Sequence, residues 1–215
     1  MNKNVIYFLT ILFSVIGYFV VTKKNPLTQY KKRRDLKKSG EPKAKVVTSG
    51  KNLFVIQKHA ATRLHYDFRV AIDGLLVSWA VPKGPSTDPK QKRLAVRTDD
   101  HPKSYAKFEG IIPEGHYGAG TVMVWDIGKY KNIKKKDGKL VPMKQCLKNG
   151  QIEIWLEGQK LQGGYALIKM KHRKDLWLLI KMNDEHADAR RNPVNTQNKS
   201  VLTGRTMNQI KKDAT

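Results

Sequence analysis

A chain of 215 residues makes one domain of ordinary size with room for a leader and a tail, and it can bury a core without covalent staples. Lys and Arg number 42 against 18 Asp and Glu, a formal charge of +24 that points to a polyanionic partner, nucleic acid before an anionic membrane surface. The single cysteine, Cys146, excludes a disulfide framework and a thiolate zinc cluster, so a metal site would have to be built from His and carboxylate.

Val5 to Val21 is an uncharged apolar run flanked by Lys3, Lys23 and Lys24. At about 1.5 Å per residue it reaches the lower length limit of a spanning helix. Tyr7 and Tyr18 sit near its ends, and no small-residue cleavage site follows it. Dense positive charge downstream (Lys31, Lys32, Arg33, Arg34, Lys37, Lys38) would keep the body cytoplasmic. Two readings stand ahead of a cleaved signal peptide: an uncleaved inner-membrane anchor through residues 5–21, or an extension upstream of the true start of a soluble cytoplasmic protein.

A basic segment without a clear period runs from Pro26 to about Val47, and the chain then reads as β structure. Phe54-Val55-Ile56 opens a strand, and Leu64 to Ile72 alternates between apolar and polar residues. Asp73-Gly74 is a type I′ hairpin turn leading into Leu75 to Val81. Further strands are expected over 93–98, 121–126, 151–156, 165–170 and 177–181, with glycines between them. Such spacing predicts a mainly β fold, a small antiparallel barrel with short helices, rather than βαβ units. The lysine-rich stretch 129–148 reads as a solvated loop, 183–200 as a flexible polar segment, and Thr206 as the N-cap of a short final helix. The chain therefore divides into a leader or anchor (1–24), the β domain (25–182) and a polar tail (183–215).

On the strand Leu64 to Ile72, His65, Asp67 and Arg69 project from one face and Tyr66, Phe68 and Val70 from the other. The second set reads as core, so site-face residues are expected to contribute little to stability. Imidazole and carboxylate together suit a first-row divalent ion, and a neighbouring guanidinium can grip an oxyanion with two parallel bonds. His59 lies a short bend away and would complete a two-His, one-carboxylate set. Taken alone, His-x-Asp also describes a hydrogen-bonded surface pair. His101, followed by Pro102, stands at a strand end, where either a phosphate contact or a solvated turn would place it. The glycines of Pro113 to Gly120 lack the Gly-Lys-Ser/Thr of a phosphate loop and read instead as close packing or positive φ. Neither Ser78 nor Ser86 lies in a nucleophile elbow, and Cys146 has no partner that would activate it.

The runs FVIQKHAATRLHYDFRVAIDGLLVSWAVPKGPS and RLAVRTDDHPKSYAKFEGIIPEGHYGAGTVMVWD resemble the 3′-phosphoesterase module of bacterial DNA ligase D. The resemblance extends over about 26–181, and SVLTGRT at 200–206 resembles a segment that follows this module in longer relatives. It implies a small β-barrel enzyme that removes a 3′-terminal ribonucleoside and then the 3′-phosphate, with manganese or a similar divalent ion, during double-strand break repair by end joining. The metal ligands it implies are His59, His65 and Asp67. Arg69 and His101 would handle phosphate with Tyr105 nearby, while Gln57, Lys83 and Arg93 would support the site. Arg34, Asp35 and Glu41 match the family's basic-acidic entry motif. The implied partners are DNA or DNA/RNA 3′ ends, with Ku and a DNA ligase acting in trans, and Lys103, Lys107 and 129–148 would meet the DNA backbone. The rival reading is a catalytically silent, membrane-tethered nucleic-acid-binding module.

Overall fold

Both residues of the Asp73-Gly74 turn adopt positive φ, 48° and 86°, as a type I′ hairpin requires. The computed structural model, which describes residues 26–46 and 52–213, builds outward from this hairpin. Strand β2 (Leu64–Ile72) pairs with β3 (Leu75–Val81) on one side and with β1 (Leu53–Ala60) on the other. The sheet continues through β4 (Arg93–Arg97), β5 (Gly120–Asn132), β6 (Gln151–Gly158), β7 (Gln162–Lys169) and β8 (Leu176–Lys181). Spatial order is β1-β2-β3-β4-β8-β7-β6-β5, and β5 pairs back onto β1, so eight antiparallel strands close a barrel. Between Ile56 and Gln57 the β1–β5 register slips by one residue. Such a bulge bends the longer strand, and beyond it β5 reaches across to β6.

The barrel interior is filled by Phe54, Ile56, Phe68, Val70, Trp79, Met123, Trp125, Ile154, Tyr165 and Leu179, all buried. A second apolar layer lies outside it. Val55, Ala71, Leu76 and Val124 on the outer face are covered by Leu27 and Tyr30, at and within helix α1 (Thr28–Lys32), and by Tyr105 and Ala106 of the 3₁₀ turn Lys103–Lys107. Strands β1 to β3 are thus covered on both faces. Of the outward-facing polar residues of β2, Asp67 and Arg69 are buried beneath this layer, so replacing them is expected to cost stability as well as function.

The lysine-rich stretch is not a plain loop. β5 extends to Asn132, a small hairpin pairs Lys135–Lys136 with Lys139–Leu140, and helix α2 (Met143–Asn149) follows. Tyr130 and Cys146 enter the core, with Val141 and Leu147 packed against it, and the Tyr130 hydroxyl donates to the Ala71 carbonyl at 2.6 Å. The polar stretch after residue 182 lies against the barrel. The Tyr66 hydroxyl donates to Val194 O (3.1 Å) in α3 (Pro193–Thr196), and Trp125 Nε1 donates to Gln197 O (2.7 Å). Helix α4 (Met207–Lys212) starts at Thr206 with a capping box to Gln209 and buries Ile210. The apolar leader at 5–21 falls outside the described residues; among those described, no helix is long and apolar enough to cross a membrane.

Candidate metal and phosphate site

The site lies on the outside of the barrel, where β1, β2 and β3 run beneath the N-terminal segment and the excursion 98–118. Antiparallel pairing sets His59 opposite His65 and Gln57 opposite Asp67, so the three candidate ligands fall on one surface of adjacent strands. One donor atom from each of His59, His65 and Asp67 lies within 4.8 Å of the others.

Backbone carbonyls decide how the two imidazoles face this point. His59 Nε2 is 3.0 Å from Gly118 O and His65 Nδ1 is 2.9 Å from Arg63 O. A carbonyl only accepts, so each of these nitrogens carries the proton. The other nitrogens, His59 Nδ1 and His65 Nε2, turn lone pairs toward Asp67, at 3.5 Å from Oδ2 and 3.8 Å from Oδ1. Burial favours the neutral acid of Asp67, but the Arg69 guanidinium 3.0 Å away outweighs it and holds this carboxyl well below the usual carboxylate range. Two oriented lone pairs and one carboxylate form a donor set that fits a first-row divalent ion.

Next to this trio lies a cationic floor. Arg69, 3% exposed, donates Nε to Gln57 Oε1 (2.7 Å), Nη1 to Ser78 Oγ (2.9 Å) and Nη2 to Asp67 Oδ2 (3.0 Å). Gln57 is held in turn by donating to the Tyr105 and Phe108 carbonyls, both at 3.0 Å. Arg34 pairs with buried Glu41 (3.0 Å), and its guanidinium approaches the rings of Tyr30 and Tyr117 at 4.4 and 5.0 Å.

His101 lies between the two arginines. Its Nε2 accepts from Arg34 Nη2 at 3.1 Å, its Nδ1 donates to Asp99 O at 2.9 Å, and Arg69 Nη1 packs 2.9 Å from Nδ1. Burial, then the charges of Arg69 and Arg34, hold its pKa well below the ordinary histidine value, so the ring is neutral. The Tyr105 hydroxyl donates to Glu41 Oε1 (2.9 Å). Burial, which Arg69 opposes and Glu41 reinforces, pushes its pKa well above that of a free phenol. Metal trio, arginines and His101 line one cleft.

A family model described as the DNA ligase D 3′-phosphoesterase domain matches residues 57–169, more than half of the chain and the whole span from Gln57 through β7. The chain belongs to this family. Curated relatives agree. The multifunctional non-homologous end joining protein LigD of Pseudomonas aeruginosa is 42% identical over 189 residues, covering 85% of this chain and 22% of that protein. The corresponding DNA repair protein LigD of Mycobacterium tuberculosis is 44% identical over 161 residues, covering 74% of this chain and 20% of its own length. LigD of Mycolicibacterium smegmatis is 44% identical over 166 residues, 74% of this chain and 21% of that protein. The chain therefore spans about a fifth of the length of the LigD proteins it matches.

Of the residues singled out from sequence, the cleft brings together His59, His65, Asp67, Arg69, His101, Tyr105 and Arg34. Glu41 and Gln57 stand directly behind them, bonded to Arg34 and Arg69. Three others lie elsewhere. Asp35 accepts from the Lys37 backbone N–H at 3.2 Å and closes the turn after α1. Lys83 and Arg93 line a separate groove with Lys58, Tyr66 and Asn195, because the chain leaving β3 turns away from the outer face that carries the cleft. Ser78, Asp99, Tyr117 and the carbonyl of Gly118 also belong to the site, Ser78 not as a nucleophile but as an acceptor for Arg69. The first three are common polar residues with no distinguishing spacing. The carbonyl has no side-chain signature, though the positive φ values of Gly115, Gly118 and Gly120 do mark that loop.

Proposed function

We propose that this protein is a metal-dependent 3′-phosphoesterase that heals DNA 3′ ends, removing a 3′-terminal ribonucleoside and then the 3′-phosphate, in break repair by end joining. The observation that carries the reading is one cleft in which a carbonyl-oriented His59–His65–Asp67 set adjoins two buried arginines and a neutral histidine. Binding alone needs no such set, which argues against a silent module.

Asp67 and the lone pairs of His59 and His65 would hold manganese or another first-row divalent ion, which when bound supplies Lewis-acid polarisation of a phosphate oxygen. Arg69 is fixed on three sides before substrate arrives, so its charge is available to the phosphate without reorganisation. Arg34, held by Glu41, faces the same space from the N-terminal segment. His101 starts neutral, so in the free enzyme it has no proton to give at Nε2. A phosphate dianion lodged against Arg69 and Arg34 offsets the two charges that disfavour the imidazolium and lets the ring take up a proton for the leaving oxygen. The excess of Lys and Arg over Asp and Glu would bind the DNA backbone without reading sequence. The reading puts the catalytic domain in the cytoplasm with the DNA, and it makes Ku and a DNA ligase its partners in repair.

The test is hydrolysis of a duplex oligonucleotide bearing a 3′-phosphate, with added manganese after chelator treatment. Turnover that depends on the ion and is lost in His65→Ala supports the assignment. Metal-independent turnover, or unimpaired His65→Ala, overturns it.

A further inference from the structure

We propose that Tyr117 is the platform on which the nucleobase at the 3′ end stacks. This inference rests on the phosphoesterase reading above and adds to it how the end is seated. The cleft holds about 230 Å³. That falls short of the roughly 300–1,000 Å³ of pockets that enclose whole ligands. A phosphate and the adjoining sugar atoms fill it, and the base has to lie at the mouth.

Two tyrosines line the cleft. Tyr105 is 2% exposed and engaged with Glu41, whereas Tyr117 is 46% exposed at the rim. An exposed ring loses entropy on stacking unless it is already held, and Tyr117 is held. Its hydroxyl accepts from Arg33 Nη1 at 3.1 Å, and the Arg33 and Arg34 guanidinium groups lie 5.1 and 5.0 Å from its centroid. The next residue, Gly118, is tied by its carbonyl to His59, which couples the position of the ring to that of the proposed metal. With both guanidinium groups in contact, 46% of the residue is still exposed, which leaves ring surface for a base, and stacking tolerates any base because each has a π face. An enzyme that trims ends of arbitrary sequence needs that indifference.

The experiment uses duplexes whose 3′-phosphate-bearing nucleoside carries 2-aminopurine, an ordinary base, or no base. Stacking on Tyr117 quenches 2-aminopurine fluorescence when wild-type protein binds in chelator, Tyr117→Phe retains the quenching, and Tyr117→Leu loses it. With manganese, Tyr117→Leu raises KM for the base-bearing end by about 10- to 100-fold, with kcat changing far less. The ratio of KM values for base-bearing and abasic ends moves to about one. If Tyr117 only shielded the arginines, Tyr117→Leu would impair both ends equally, and that result overturns the proposal, as does an absence of quenching in the wild type. Quenching without any turnover would remove the phosphoesterase reading while leaving the platform in place.

Discussion

Removing the guanidinium of Arg69 while keeping the bulk of the side chain, as Arg69→Met does, tests whether the site face also supports the fold. Three acceptors (Gln57 Oε1, Ser78 Oγ and Asp67 Oδ2) lose their donor, and the Asp67 carboxylate stays buried at 6% exposure. Breaking a buried pair by removing one partner costs about 3–5 kcal/mol, most of it from the uncompensated charge. For a chain of this size that is roughly 6–20 °C in melting temperature. Adding Asp67→Asn removes the stranded charge and should recover about 2 kcal/mol, so the double variant is more stable than Arg69→Met alone. The assay is urea unfolding of the wild type, both single variants and the double variant in chelator, so that bound metal does not contribute. Additive destabilisation, with no coupling between the sites, would refute the argument that Arg69 and Asp67 stabilise the fold as an ion pair.

Three further outcomes follow from the same geometry. The folded state holds the His101 pKa below that of the unfolded chain, so stability is full above about pH 7 and falls by up to about 1.4 kcal/mol per unit below pH ~6.5; urea midpoints at pH 7.5 and 5.5 should differ more for the wild type than for His101→Gln. Gly120 has φ +137° and a Cβ there would sit 2.2 Å from the Ala60 carbonyl oxygen, so Gly120→Ala should cost about 2–4 kcal/mol by thermal unfolding and weaken manganese binding at adjacent His59. Phe68, fully buried and stacked on Phe54 with ring centroids 6.4 Å apart, should cost about 3–5 kcal/mol as Phe68→Ala, while the protein that remains folded turns over normally.

The elements with a period were legible in the sequence. Alternation in 64–72 and the Asp-Gly turn predicted β2 and β3 with the bounds observed. The same alternation put His65, Asp67 and Arg69 on one face, where they are found. What covers that face was not legible, because α1 is five residues long and the 3₁₀ turn over Tyr105 is equally short, and neither carries a repeating pattern. In the lysine-rich stretch, Tyr130, Val141, Cys146 and Leu147 are too sparse among charges to announce a hairpin and a helix. Lys83 and Arg93 are close to the site in sequence, yet closeness along the chain does not say which face a residue joins.

Closure of the barrel depends on β1 meeting β5, strands about sixty residues apart, and the bond between His59 and the Gly118 carbonyl spans the same gap. Contacts this distant in sequence carry a large loop-closure entropy and form late, after the local β1–β2–β3 meander. An unclosed barrel leaves the His59 ring without the acceptor that sets its tautomer, and its lone pair is not yet aimed at Asp67. Metal binding at this trio would therefore report completed closure rather than nucleate it. Manganese should slow unfolding of the protein while leaving the rate of its folding nearly unchanged.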